Sequence, residues 1–147
     1  MITSYVDILK QLEECPENKL FYFKNREYPT DAPPHYHICI PINHDEFVML
    51  VFFTSQDEKR KMFYNTNPKA LQALVEVNKD DFDFLTKENT LIDCNRPIYK
   101  TKEELASLVN GEFKVFDEII TEEFLTQIKN AIKKSPLVKK GYKKKIL

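Results

Sequence analysis

Residues 35–54, HYHICIPINHDEFVMLVFFT, set two strand-forming runs on either side of a short polar connection. In HYHICIPI (35–42) the pleat puts Tyr36, Ile38, Ile40 and Ile42 on one face. It puts His35, His37, Cys39 and Pro41 on the other. NHDE (43–46) is turn material, and FVMLVFF (47–53) is apolar on both faces, as a central or barrel strand is. Together they predict a β-hairpin with a four-residue connection in the middle of the chain. Whatever else the chain does, it must bury both faces of 47–53.

The remaining segments supply the cover. SYVDILKQLEE (4–14) reads as a helix capped by Ser4, with Val6, Leu9 and Leu12 on one face and Pro16 as its stop. KLFYFKN (19–25), ALVEV (73–77), NTLIDC (89–94) and FKVFDEI (113–119) read as strands or extended links. REYPTDAPP (26–34) is a stiff loop with three prolines. NKDDFDFL (78–85) reads as a helical turn, and TKEELASLVNG (101–111) carries a capping box at Thr101 and Glu104 with Gly111 near its stop. TEEFLTQIKNAIKKS (121–135) is the clearest helix: Thr121 caps it, Glu122 and Glu123 suit its positive end, and Phe124, Ile128 and Ile132 form its stripe. The expected fold is mainly β with peripheral helices, in the α+β class. It is a small, strongly bent antiparallel sheet or SH3-like barrel followed by a C-terminal helix.

The 147 residues favour a single globular domain over 1–136, with the barrel-like sheet at about 19–119. Residues 137–147 form a basic tail, expected to be mobile. The last fifteen residues carry seven lysines and no acid. Removing those seven from the 22 basic side chains leaves 15 against 23 acids, a net charge of −8 over residues 1–132. A tail of this kind is either a solvated end or an arm for phosphates or an acidic partner. Only two glycines occur, Gly111 and Gly141, too few for a phosphate-cradling loop or a dinucleotide fingerprint. The three cysteines, Cys15, Cys39 and Cys94, form no CxxC, which argues against a zinc ribbon or a thioredoxin-type site. No basic start with an apolar core opens the chain, and no run approaches the roughly 20 apolar residues of a membrane span. The expected compartment is the cytoplasm, with no membrane partner.

The chemistry-bearing residues cluster at the ends of the hairpin. His35 and His37 lie on one strand face about 6–7 Å apart, as alternate residues do. They suit general acid–base work near neutral pH. The pair could also hold a metal with one further ligand from Cys39, His44, Asp45, Asp93 or Cys94, none of them at diagnostic spacing, as in a metal-dependent hydrolase centred on His35, His37 and His44. Thr54 and Ser55 close the second strand and can donate to a phosphate. Lys59, Arg60 and, after the later strand, Arg96 can neutralise one. Cys94 reads as a small buried residue. The bland alternative leaves the histidines passive, in a non-catalytic module that binds a protein or nucleic acid.

The order of these parts resembles the PemK/MazF-like toxins of bacterial toxin–antitoxin pairs. The similarity spans roughly residues 33–135 and is one of order and spacing. A strand pair ends in Thr54-Ser55; FLTKENTLIDCNRPI (84–98) follows; a linker then leads to ITEEFLTQIKNAIKKS (120–135). The resemblance implies an SH3-like barrel, often a homodimer, that cleaves single-stranded RNA without metal or cofactor and is neutralised by an antitoxin. The family's strand-end hydroxyl corresponds to Thr54, with Ser55 beside it. His35 or His37 stands where the family carries an arginine. The expected site is therefore His35, His37, Thr54 and Ser55 for catalysis and Lys59, Arg60 and Arg96 for phosphate. Tyr36 or Phe53 would stack a base.

Overall fold

A computed structural model describes residues 2–14, 19–117 and 120–147. In chain order it forms α1 (Tyr5–Glu14), β1 (Leu20–Asn25), β2 (His35–Ile40), β3 (Phe47–Thr54), α2 (Asp57–Phe63), α3 (Pro68–Leu71) and β4 (Leu74–Val77). A 3-10 turn (Lys79–Asp81), β5 (Thr90–Asp93), β6 (Ile98–Thr101), α4 (Lys102–Leu108), β7 (Val109–Phe116), α5 (Glu122–Lys134) and α6 (Lys140–Lys143) follow. All strand pairings are antiparallel, in the order β4-β5-β3-β2-β1-β7, with β6 also paired to β3.

β3 explains the architecture. Its Met49, Val51 and Phe53 join Ile38 and Ile40 of β2 in a core closed by Leu125, Ile128 and Ile132 of α5. Its Val48 and Leu50 join Phe21, Phe23 and Cys39 in a second core closed by Ile8 and Leu12 of α1 and Leu105 and Ala106 of α4. A strand with helices on both sides has no solvated face, hence the unbroken apolar run. The fold is α+β, as expected, but the sheet does not close into a barrel. Helices cover both of its faces, while β4 and β7 remain at opposite ends of the order.

Several segments differ from the sequence reading. The helix beginning at Thr101 has its capping box, with Thr101 Oγ1 accepting from Glu104 N–H and Glu104 accepting from Thr101 N–H. It stops at Leu108 rather than near Gly111. Gly111 instead sits inside β7 at φ +94°, a backbone conformation that side chains with a Cβ rarely adopt. Helix α2 occupies the charged DEKRKMF run, where no apolar stripe announces it; none of its residues is buried. Asn95-Arg96-Pro97 breaks the 89–94 strand, as its proline predicts, but β6 begins directly after it, where no strand is expected. The expected stop at Pro16, the residue Cys15 and the last two positions of the 113–119 run lie outside the described residues. Among the described residues no helix is long and apolar enough to cross a membrane.

The expected mobile tail is docked instead. Val138 and Ile146 are buried in the α5-side core, and Ile146 bridges to Ile42. Asn43 N–H donates to Lys145 O at 2.6 Å, and Leu147 N–H donates to Pro41 O at 3.1 Å. Two apolar anchors and backbone pairing at the exit of β2 outweigh the charge of the segment. Ile146→Ala should therefore cost about 2 kcal/mol in urea unfolding, the low end for truncating a buried isoleucine; a mobile tail would show no change.

Candidate functional site

The other edge of β3 is shared by two short strands. β6 pairs with Phe47–Leu50, and β5 pairs with Phe53 and Thr54. Between them Cys94, Asn95, Arg96 and Pro97 leave the ladder, and Pro97 has no N–H to give it. A cavity of about 740 Å³ opens beside this break, within the range of ligand pockets. Its walls come from the stiff 26–34 loop, the start of β2, the end of β3, α2, the break itself and Tyr142 of α6.

Five of the seven sequence-derived residues line it: His35, Thr54, Lys59, Arg60 and Arg96. The β2–β3 register sets His37 opposite Phe52, so two residues further on His35 falls opposite Thr54. Thr54 is buried, and its Oγ1 accepts from Gln56 N–H at 3.2 Å. That turn launches α2 and so places Lys59 and Arg60 on the cavity.

Arg60 is held from two sides. Its guanidinium lies 5.2 Å from the centre of the Phe52 ring, and Nη1 lies 3.5 Å from Asp93 Oδ2. Asp93 is fully buried; its Oδ2 also accepts from the Tyr64 hydroxyl at 2.8 Å, and its Oδ1 accepts from Asn95 N–H at 3.0 Å. Burial, and then the Asp93 charge, push the Tyr64 hydroxyl well above its ordinary pKa, so it remains a donor. Asn95 continues the network, donating to Ala70 O and accepting from the Ser135 hydroxyl at 2.6 Å.

His35 is half-buried, edge-on to Tyr28 at 5.4 Å and to Phe52 at 5.6 Å. Its Nδ1 is buried without a hydrogen-bond partner. Burial, and then the Arg60 charge, hold its pKa below 6.5, so the imidazole is neutral at pH 7. Tyr28 is pushed up to about 12, chiefly by burial. The cavity wall carries four cations, Lys59, Arg60, Arg96 and Lys100, against two acids, Glu27 and Asp31. Lys100 pairs with Glu27 at 3.8 Å.

The remaining expected residues lie elsewhere. His37 is fully buried, stacked on Phe23 with ring centres 4.1 Å apart, and both its nitrogens lack partners. It shares a pleat face with His35, but Phe23 covers it, so it cannot exchange a proton with a bound substrate. Ser55 is exposed and does not line the cavity. Tyr36 packs among Tyr22, Phe84 and Phe116, and Phe53 is buried in the core, so neither offers a face to a base in the cavity. His44 belongs to the opposite end of the hairpin, against Phe47. Among the described residues no three His, Cys, Asp or Glu side chains are gathered as a metal would require, which removes the basis for a His35–His37–His44 metal site. Cys94 is buried, and burial raises its thiol pKa, so it is no nucleophile.

Tyr28 and Tyr142 went unrecognised as site residues, and Asp93, a candidate metal ligand by sequence, holds Arg60 instead. Of the two tyrosines only Tyr28 had a local signal, its place in a proline-stiffened loop. No family model and no curated protein matches the chain.

Proposed function

We propose that the chain is a toxin-like endoribonuclease that cleaves single-stranded RNA without metal, through attack by the substrate's own 2′-OH. The observation that supports this reading most is the meeting of a neutral histidine, a strand-end hydroxyl and three cations on one cavity. In this reading His35 takes the proton of the 2′-OH. The 2′-oxygen forms a bond to phosphorus, the bond from phosphorus to the 5′-oxygen breaks, and the Lys59 ammonium gives that oxygen its proton. Arg60, fixed between Phe52 and Asp93, meets the charge that grows on the phosphate, with Arg96 and the Thr54 hydroxyl beside it. The products are a 2′,3′-cyclic phosphate and a 5′-hydroxyl. The similarity to PemK/MazF-like toxins supports the same substrate. It adds an antitoxin, a second copy of the chain and a cytoplasmic setting as partners and place, although the open sheet departs from that family's barrel.

The test is cleavage of a labelled single-stranded RNA in chelator. Wild type should cut and His35→Ala should cut at least tenfold more slowly, since positioned acid–base groups contribute about 10²–10⁴. A strand with 2′-deoxyriboses should resist. Equal cutting by wild type and His35→Ala, or cutting of the deoxy strand, would sink the mechanism. The buried Nδ1 of His35 favours a second reading, a non-catalytic module with the same binding surface. That reading predicts a strand bound at the cavity and recovered intact.

A further inference from the structure

The cavity does not end at the sheet. Tyr142 of α6 forms part of its wall, with its ring 4.6 Å from that of Tyr99, another wall residue. Lys139 Nζ lies 5.4 Å from the centre of the Tyr142 ring. The segment is pinned on both sides of these residues by buried Val138 and Ile146, and Lys143 Nζ donates to Ser135 O at 2.6 Å. Lys139, Lys140 and Lys144 are exposed. From residue 124 to 147 there are eight lysines and no Asp or Glu. Among the described residues no ion pair involves any of the eight.

We infer that the docked segment 137–147 is the outer half of the binding site, so that a single-stranded RNA held in the cavity continues along Lys139, Lys140 and Lys144. The inference rests on the RNA reading above and extends it from one phosphate to a strand of several nucleotides. Fixed cations unmatched by carboxylates follow a phosphate backbone, and Tyr142, with Lys139 against its ring, joins them to the cavity wall. RNA is favoured over an acidic peptide because the lysines adjoin the cavity whose wall carries the histidine and hydroxyl of the cleavage reading. The lysines belong to a folded surface, so their charges meet the strand at set positions and with little ordering cost.

Anisotropy titrations with 2′-O-methylated strands, which bind without being cut, test this. One strand is a dinucleotide confined to the cavity; the other has about twelve nucleotides, within the range of single-strand sites. The triple variant K139Q/K140Q/K144Q should bind the long strand about tenfold more weakly. It should lower the slope of log affinity against log salt by about 2, from roughly 0.7 per phosphate contact. Its dinucleotide affinity and melting temperature should equal those of wild type. Lys140→Glu alone, a milder change to the fold, should weaken only the long strand. An unchanged slope, or a loss shared by the dinucleotide, overturns the inference while leaving the cavity reading standing. Polyglutamate that binds as well as the long strand and loses as much in the triple variant overturns it in favour of an acidic protein partner. If wild type binds neither strand, the RNA reading falls and the inference with it.

Discussion

Acidification from pH 7 to pH 4 destabilises the fold by about 3 kcal/mol through His37 alone, and His37→Leu abolishes that loss. The imidazole is enclosed and stacked on Phe23, neither nitrogen makes a well-formed hydrogen bond, and the nearby backbone of Phe21 and His35 offsets only part of the burial. Burial, and then the neighbouring His35 charge, push its pKa from 6.5 down to about 3. The unfolded chain therefore takes up a proton as pH falls through 6.5, while the folded chain refuses it until about pH 3. Between those values unfolding gains about 1.4 kcal/mol per pH unit. Above 6.5 the site contributes no pH dependence. Leucine fills similar space, removes two orphaned polar atoms and gives up one ring stack, so stability at pH 7 stays within about 1 kcal/mol of wild type. Urea midpoints at pH 7, 5.5 and 4 decide the matter. Carboxylate titrations are common to both proteins, so only the difference between them reports on His37, and parallel curves would refute the account.

Asp93→Ala costs about 3 kcal/mol, because it leaves the Tyr64 hydroxyl, the Asn95 N–H and one side of Arg60 without their shared acceptor. Asp93→Asn keeps one oxygen for the Asn95 N–H and turns its amide NH2 toward Tyr64, whose hydroxyl can accept from it, so the charge that holds Arg60 is what goes; about 1 kcal/mol is lost. The two variants separate structure from function. If Asp93 fixes Arg60 over Phe52, Asp93→Asn slows RNA cleavage about as much as Arg60→Ala does, at nearly native stability. Native cleavage by Asp93→Asn would reduce the carboxylate to a structural role.

The hairpin was legible because its signals are local: an apolar run too long for one face, a polar connection and a change of period. The same pleat rule put His35 and His37 on one face, correctly, and still could not separate them. One lines a cavity and the other lies beneath Phe23, and the difference comes from β1, twelve or more residues away. Helix α2 was invisible because it buries nothing, so no stripe marks it, although it delivers two of the site's cations. The tail was misread because its charge is consecutive while its anchors, Val138 and Ile146, are sparse. Arg60 was legible as a cation. That a buried Asp93 aims it was not, since the pair is 33 positions apart in the chain.

The divided edge of β3 bears on how such a protein diversifies. β5 and β6 each hold their own register against it, one at Phe53 and Thr54, the other at Phe47–Leu50. Of the four residues between them, Cys94 and Asn95 are buried and bonded to Ala73, Ala70 and Ser135, so only Arg96 and Pro97 are free of such ties. Changes of length at those two positions reshape the mouth of the cavity while each strand keeps its own register, so selection can try new substrates there at little cost to the scaffold.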